Sequence, residues 1–106
     1  MLKINGRDYE LRFTINTLCD MADSGIDVMH MNEIVINVKT IRELFRFGLK
    51  HQNKKITQNQ AGDLIDEFFD EGGNFEELVQ EVMGALAKSL GGKDEKDEAD
   101  EEDEGK

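Results

Sequence analysis

The chain has 106 residues, a formal net charge of −11 and one cysteine. That length holds one domain at most. The acidic balance argues against nucleic acid or an anionic membrane surface as the main partner, since both need clustered Lys and Arg, and a lone Cys19 excludes an intrachain disulfide and suits a reducing cytoplasm. The longest apolar run, Ile34-Val35-Ile36, falls far short of the ~18–20 residues of a membrane span, and Met1-Leu2-Lys3 leads into a hairpin pattern rather than a signal peptide.

Leu2-Lys3-Ile4 and Tyr9-Glu10-Leu11-Arg12-Phe13 alternate apolar and polar around Asn5-Gly6, the strongest short hairpin signal. Two strands alone are marginal in water, so one face of the hairpin must lie on helices. Thr14 is the expected N-cap of a first helix with Ile15, Leu18, Cys19 and Ala22 on one side, Met21 at its edge, and Gly25 in the left-handed position that stops it. From Ile26 to Lys39 the β-branched residues favour an extended run, with a helical stripe through Ile34, Val38, Ile41 and Phe45 as the alternative. A second helix is expected to begin at Thr40, where Thr40 and Glu43 fit a capping box. Its apolar arc is Ile41, Leu44, Phe45, Gly48 and Leu49, and Phe47 lies outside it.

Asn53-Lys54-Lys55 reads as a loop. Thr57 and Gln60 repeat the capping-box logic for a third helix, with Ala61, Leu64, Ile65, Phe68 and Phe69 apolar and Asp63, Asp66, Glu67 and Asp70 acidic. Gly72-Gly73 ends it. Asn74 and Glu77 open a fourth, whose apolar face is Phe75, Leu78, Val79, Val82, Met83, Leu86 and Leu90. The expected fold is therefore mainly α: about four helices and a small N-terminal β-hairpin over residues 1–92. Residues 93–106 carry nine acids against three lysines, −6 of the total charge, and have too little apolar area to offset their ordering entropy, so they read as a disordered acidic tail.

Chemistry-bearing constellations are missing. His30, His51 and Cys19 lie on three different segments, unlike a converging ligand set. A calcium loop started at Asp70 puts Gly72 at its third position and Phe75 at its sixth, where an oxygen ligand and a glycine are required. There is no phosphate-cradling glycine motif. Cys19 reads as a buried small hydrophobe, and the paired acids of the third helix read as a solvated face. The expectation is no enzyme, no catalytic residue, no cofactor and no metal.

Recognition is the remaining class. Arg42, Arg46 and Lys50, spaced by four, form a basic stripe that the acids of the third helix could complement on a neighbouring subunit. Phe45, Phe68, Phe69 and Phe75 are expected in a shared core, whereas Phe47 is free for a second interface with a partner helix, a like subunit or the hairpin. The candidate partner-binding set is Phe47, Leu49, His51, Arg42, Arg46, Lys50 and Phe69, taken from surface geometry and weighed against core burial.

Ile4-Asn5-Gly6, the stop at Ser24-Gly25, the run Phe47-Gly48-Leu49-Lys50-His51-Gln52-Asn53, Ile56-Thr57, Asp63-Leu64-Ile65-Asp66-Glu67 and the acidic end occur in this order. In that order the chain resembles the tail assembly chaperones of long-tailed bacteriophages of Gram-positive hosts. It departs from their pattern at Lys54, where a proline is usual, and at Phe47, where a smaller residue is usual. The resemblance implies a non-enzymatic protein of the host cell cytoplasm, absent from the mature virion. It would bind the tape measure protein, keep it soluble and promote assembly of the tail tube. It also implies many copies per client, self-association into a homo-oligomer, and a longer product, made by frameshifting near Gly92-Lys93, that reaches the tail-tube protein. The alternative is an acidic decoy for a basic nucleic-acid-binding partner; a calcium-responsive module ranks below both.

Overall fold

Asn5 and Gly6 both take positive φ, 54° and 80°, as a type I′ turn demands. The turn joins β1 (Leu2–Ile4) to β2 (Arg7–Tyr9) with Leu2 opposite Tyr9, Lys3 opposite Asp8 and Ile4 opposite Arg7. The computed structural model describes residues 2–33 and 36–90. The expected disorder of residues 93–106 concerns positions outside that description.

The second strand is shorter than the alternation suggests. Leu11 and Phe13 are buried as expected, but their segment leaves the ladder. The Arg12 amide donates to the Gly48 carbonyl (2.9 Å) and the Glu10 amide to Gln52 Oε1 (3.1 Å). A helix end and a side chain thus take the donors that a strand would have offered to a neighbour.

Thr14 caps α1 (Ile15–Asp23), its hydroxyl accepting from the Thr17 amide. At the other end Gly25 (φ 96°) donates to Ala22 O and Ile26 to Met21 O, a Schellman closure. The buried side chains are Leu18 and Met21; Ile15, Cys19 and Ala22 face outward. This corrects the expected face and the expected burial of Cys19. Both arcs of the short helix are apolar, and the tertiary neighbour selects between them.

The expectation for 26–39 is also corrected. Val28–Glu33 forms 3₁₀ turns broken at His30, and Val38 and Lys39 already belong to α2 (Val38–Gly48); residues 34 and 35 lie outside the description. The Asn37 side chain accepts from the Thr40 amide (2.9 Å), so Asn37 is the cap and the Thr40–Glu43 box does not form. Asn caps at least as well as Thr, and starting there gives α2 three more residues.

α3 (Gln58–Asp70) and α4 (Phe75–Ser89) open with the expected reciprocal boxes, Thr57 with Gln60 and Asn74 with Glu77. Gly72, at φ 106°, ends α3. The Phe68 ring lies over Gly73 where a Cβ would stand.

α2 is the hub: α1, α3 and α4 all pack against it, and β1 packs against α3. The core joins Leu2, Ile4, Leu11 and Phe13 to Leu18 and Met21, to Ile41, Leu44, Phe45 and Phe47 of α2 with Leu49 at its end, and to Leu78, Val82 and Leu86 of α4. Among the described residues no helix is long and apolar enough to cross a membrane.

A Cβ on Gly48 would stand 3.0 Å from both Leu11 Cδ2 and Phe13 Cζ. Overpacking of that kind costs about 1–3 kcal/mol, against about 1 kcal/mol gained in helix propensity. A Cβ on Gly84 would meet nothing within 4 Å. In urea denaturation, Gly48→Ala is expected to lower stability and Gly84→Ala to raise it by about 0.5–1 kcal/mol. A Gly48→Ala protein as stable as the parent would mean that the close approach is not a constraint.

Candidate interaction surface

The seven candidate residues separate into three groups. Phe47 and Leu49 are 2% and 1% exposed, so neither is available to a partner in the folded chain. Phe47 does lie off the main apolar arc, but α2 has neighbours on several sides, and a hub helix buries more than one stripe. The exposure expected of Phe47 is therefore corrected.

Arg42, Arg46 and Lys50 are half-buried. Arg46 forks onto Glu43 Oε1 (2.9 and 3.3 Å), the two side chains only 16% and 12% exposed. The Arg46 guanidinium and the Lys50 ammonium lie 4.6 and 5.0 Å from the centre of the Phe47 ring, positions that favour attraction to the ring's π-face. The Arg42 stem runs close by Gly62 of α3. Arg42 Nε and Glu43 Oε2 are buried with no hydrogen-bond partner. The basic stripe is thus largely spent within the chain, correcting its reading as a free face.

His51 and Phe69 remain outside. The His51 ring places Nδ1 3.1 Å from the Gly48 carbonyl at the end of α2. Phe69 is 36% exposed, as is Phe75, so neither is the core residue expected of it. Their surroundings are acidic: residues 58–90 hold eight Asp and Glu against Lys88 alone.

Other large apolar side chains stand in solvent. Ile15 and Val38 are each 70% exposed, Met29 79% and Leu90 51%. Ile15, Cys19 and Ala22 follow one another along α1 at helical spacing, an exposed apolar stripe. On α4 the half-buried Val79 and Met83 continue the line from Phe75.

Among the described residues, open grooves cross the surface. One of about 540 Å³ lies between β2 and α3, with Tyr9, Leu49, Ile56 and Leu64 as its apolar part and Gln52, Gln60 and Asp63 as polar neighbours. A second, about 640 Å³, separates the segment Glu10–Thr14 from α4, and a third, about 440 Å³, runs from Leu2 and Lys3 to Phe68 and Gln80. Among the described residues no group of three or more His, Cys, Asp or Glu is placed to hold a metal ion.

Side chains bond the hairpin beside β2 and at its turn. Gln52 accepts from the Glu10 amide and its amide nitrogen lies 3.5 Å from Asp8 O; Glu71 Oε2 accepts from the Asn5 amide at 2.6 Å. In the 3₁₀ region the Asp27 carboxylate accepts from the Met29 amide (2.9 Å) and faces the His30 ring. The amide hydrogen bond first, and then His30, hold the Asp27 carboxyl below its usual range.

Sequence reasoning missed the outward stripe of α1 and the exposure of Phe75. The signal was present in the first case, since Leu18 and Met21 offer an apolar arc as good as that of Ile15, Cys19 and Ala22. Phe47→Ala is expected to cost about 3–5 kcal/mol in a denaturation measurement, a core effect rather than a binding effect; a near-neutral result would return Phe47 to the surface. Cys19 in the native chain is expected to react with Ellman's reagent nearly as fast as in urea, and strong native protection would show that α1 is covered.

No curated protein and no solved structure matches the chain significantly. A family model matches residues 1–103, and the chain belongs to the DUF5055 family, a domain of unknown function.

Proposed function

We propose that this protein is a non-enzymatic assembly chaperone that covers the apolar faces of a long helical client. The client is taken to be the tape measure protein of a long-tailed bacteriophage, kept soluble until tail-tube subunits polymerise around it. One observation carries the physical part of this reading: in a chain this small, Ile15, Val38, Met29, Phe69, Phe75 and Leu90 are left in contact with water. Helical clients bind by laying an apolar stripe against such surfaces. The identity of the client comes from the resemblance in sequence order described above. Action in the host cytoplasm, several copies per client, contact with the tail-tube protein through a longer frameshifted product, and absence from the virion belong to the same proposal.

The acidic surplus serves the role by keeping coated assemblies mutually repulsive. Coexpression tests it. With this chain, the tape measure protein is expected to move from the pellet to the soluble fraction and to co-purify. A client that stays wholly insoluble would defeat the reading. Removal of residues 93–106 is expected to leave the circular dichroism spectrum of the helices intact and to lower solubility; loss of the helical signal would contradict it.

The acid-rich stretch 58–90 also favours a second reading, an acidic decoy for a basic nucleic-acid-binding protein. That reading requires salt-sensitive capture of a DNA-binding enzyme and inhibition of its DNA binding, neither of which the chaperone needs.

A further inference from the structure

α3 and α4 each pack on α2 rather than extensively on one another, so both keep an edge of their apolar arcs outside the core. On α3 that edge ends at Phe69; on α4 it begins at Phe75 and continues through Val79. The Schellman closure at Gly72 and Gly73, followed at once by the Asn74 cap, brings the end of one helix and the start of the next to the same end of the pair. The exposed acids Asp66 and Asp70 flank Phe69, and Glu76 follows Phe75.

We propose that this Phe69–Phe75 end of the α3–α4 pair docks a cationic amphipathic helix, with apolar anchors set against the two rings and Lys or Arg beside the acids. The inference rests on the chaperone reading for the helical form of the partner, and goes beyond it in naming the face and the partner's charge. Charge complementarity identifies the occupant. A helix pair with seven acids and one lysine, and an eighth acid, Glu71, in the turn between them, attracts a basic helix and repels an acidic one. A second copy is a poor occupant, because it would set one −11 chain against another while two of its basic groups, Arg46 and Lys50, are already held over Phe47. The aromatic rings supply the anchoring area, since large rigid side chains carry most of the energy of such contacts.

The test is a titration of the ¹⁵N-labelled full-length chain with a synthetic helical peptide that has leucines on one face and lysines on the other. Amide shifts are expected to centre on Phe69, Phe75 and Val79. Replacing the leucines by serine, or the lysines by glutamate, is expected to weaken binding by at least about ten-fold. Phe69→Ser should do the same. The double variant Asp66→Asn, Asp70→Asn, whose side chains are exposed and leave the core untouched, should weaken binding about three-fold and flatten its salt dependence. Shifts confined to residues 91–106, or equal binding of the serine-for-leucine peptide, would overturn the proposal, because attraction to the acidic end would then suffice. Shifts centred on Ile15 and Cys19 would overturn it, as would the same Phe69 and Phe75 shifts appearing on concentration without peptide, which would assign the face to a second copy. Coexpression separates the two ideas. If the chain solubilises the tape measure protein while the peptide maps elsewhere, the docking face is wrong and the chaperone reading stands. If the peptide binds at Phe69 and the client remains insoluble, the docking face stands and the chaperone reading fails.

Discussion

Everything N-terminal to α1 depends on how closely Leu11 and Phe13 approach Gly48. A Cβ there would crowd both side chains at 3.0 Å, while the backbone between them bonds Gly48 O through the Arg12 amide. A β1–β2 hairpin of three-residue strands has no independent stability. It persists because this seam fastens its continuation to the hub helix and because Leu2 and Ile4 reach the same core. Gln52 then takes up polar groups beside β2, and Glu71 the Asn5 amide at the turn. An uncovered edge is a template for strand pairing with another chain, and Gln52 blunts the edge beside β2.

The hub position of α2 explains its chemistry as well. A helix contacted by α1, α3 and α4 has little surface left for free charges, so Arg42 and Arg46 are drawn inward while Lys39, at its first turn, stays exposed. Arg46 is paired with Glu43 and stacked with Lys50 over Phe47, while Arg42 runs along α3. Partly buried charges keep their place only when their partners are close. The same constraint moves the electrostatic character of the surface elsewhere. With Arg42, Arg46 and Lys50 partly withdrawn, the stretch 58–90, with eight acids against Lys88, stands out as a negative part of the surface.

The legible parts of the fold are the local ones. Asn5-Gly6, Thr14, Thr57 with Gln60, and Asn74 with Glu77 act through bonds spanning two or three residues, so the sequence that encodes them is contiguous. The hidden parts need a neighbour to decide them. Either arc of α1 could have been buried, and Met21 rather than Cys19 meets the core because of where α2 lies. Asn37 and Thr40 are both competent caps three residues apart, and local capping chemistry alone does not select between them. Phe47 appeared free because one apolar arc per helix was assumed, whereas a hub buries two. Of the candidate site, only His51 and Phe69 keep the exposure that binding would require.

The apolar residues left outside are large on the scale of the domain's own stability. Leaving a Leu- or Phe-sized side chain in water forgoes about 1.5–3 kcal/mol, and domains of this size are stable by only about 5–15 kcal/mol. Single exposed hydrophobes need no explanation. A stripe along α1, and a line along α4 that runs from the exposed Phe75 into the half-buried Val79 and Met83, each at helical spacing, are a different matter. The stripe on α1 lies among both signs of charge, with Asp20, Asp23 and Arg12 nearby in sequence, whereas the one on α4 is framed by acids. Two unlike faces can serve two unlike contacts. On the chaperone reading proposed above, the acidic one would suit a basic client helix.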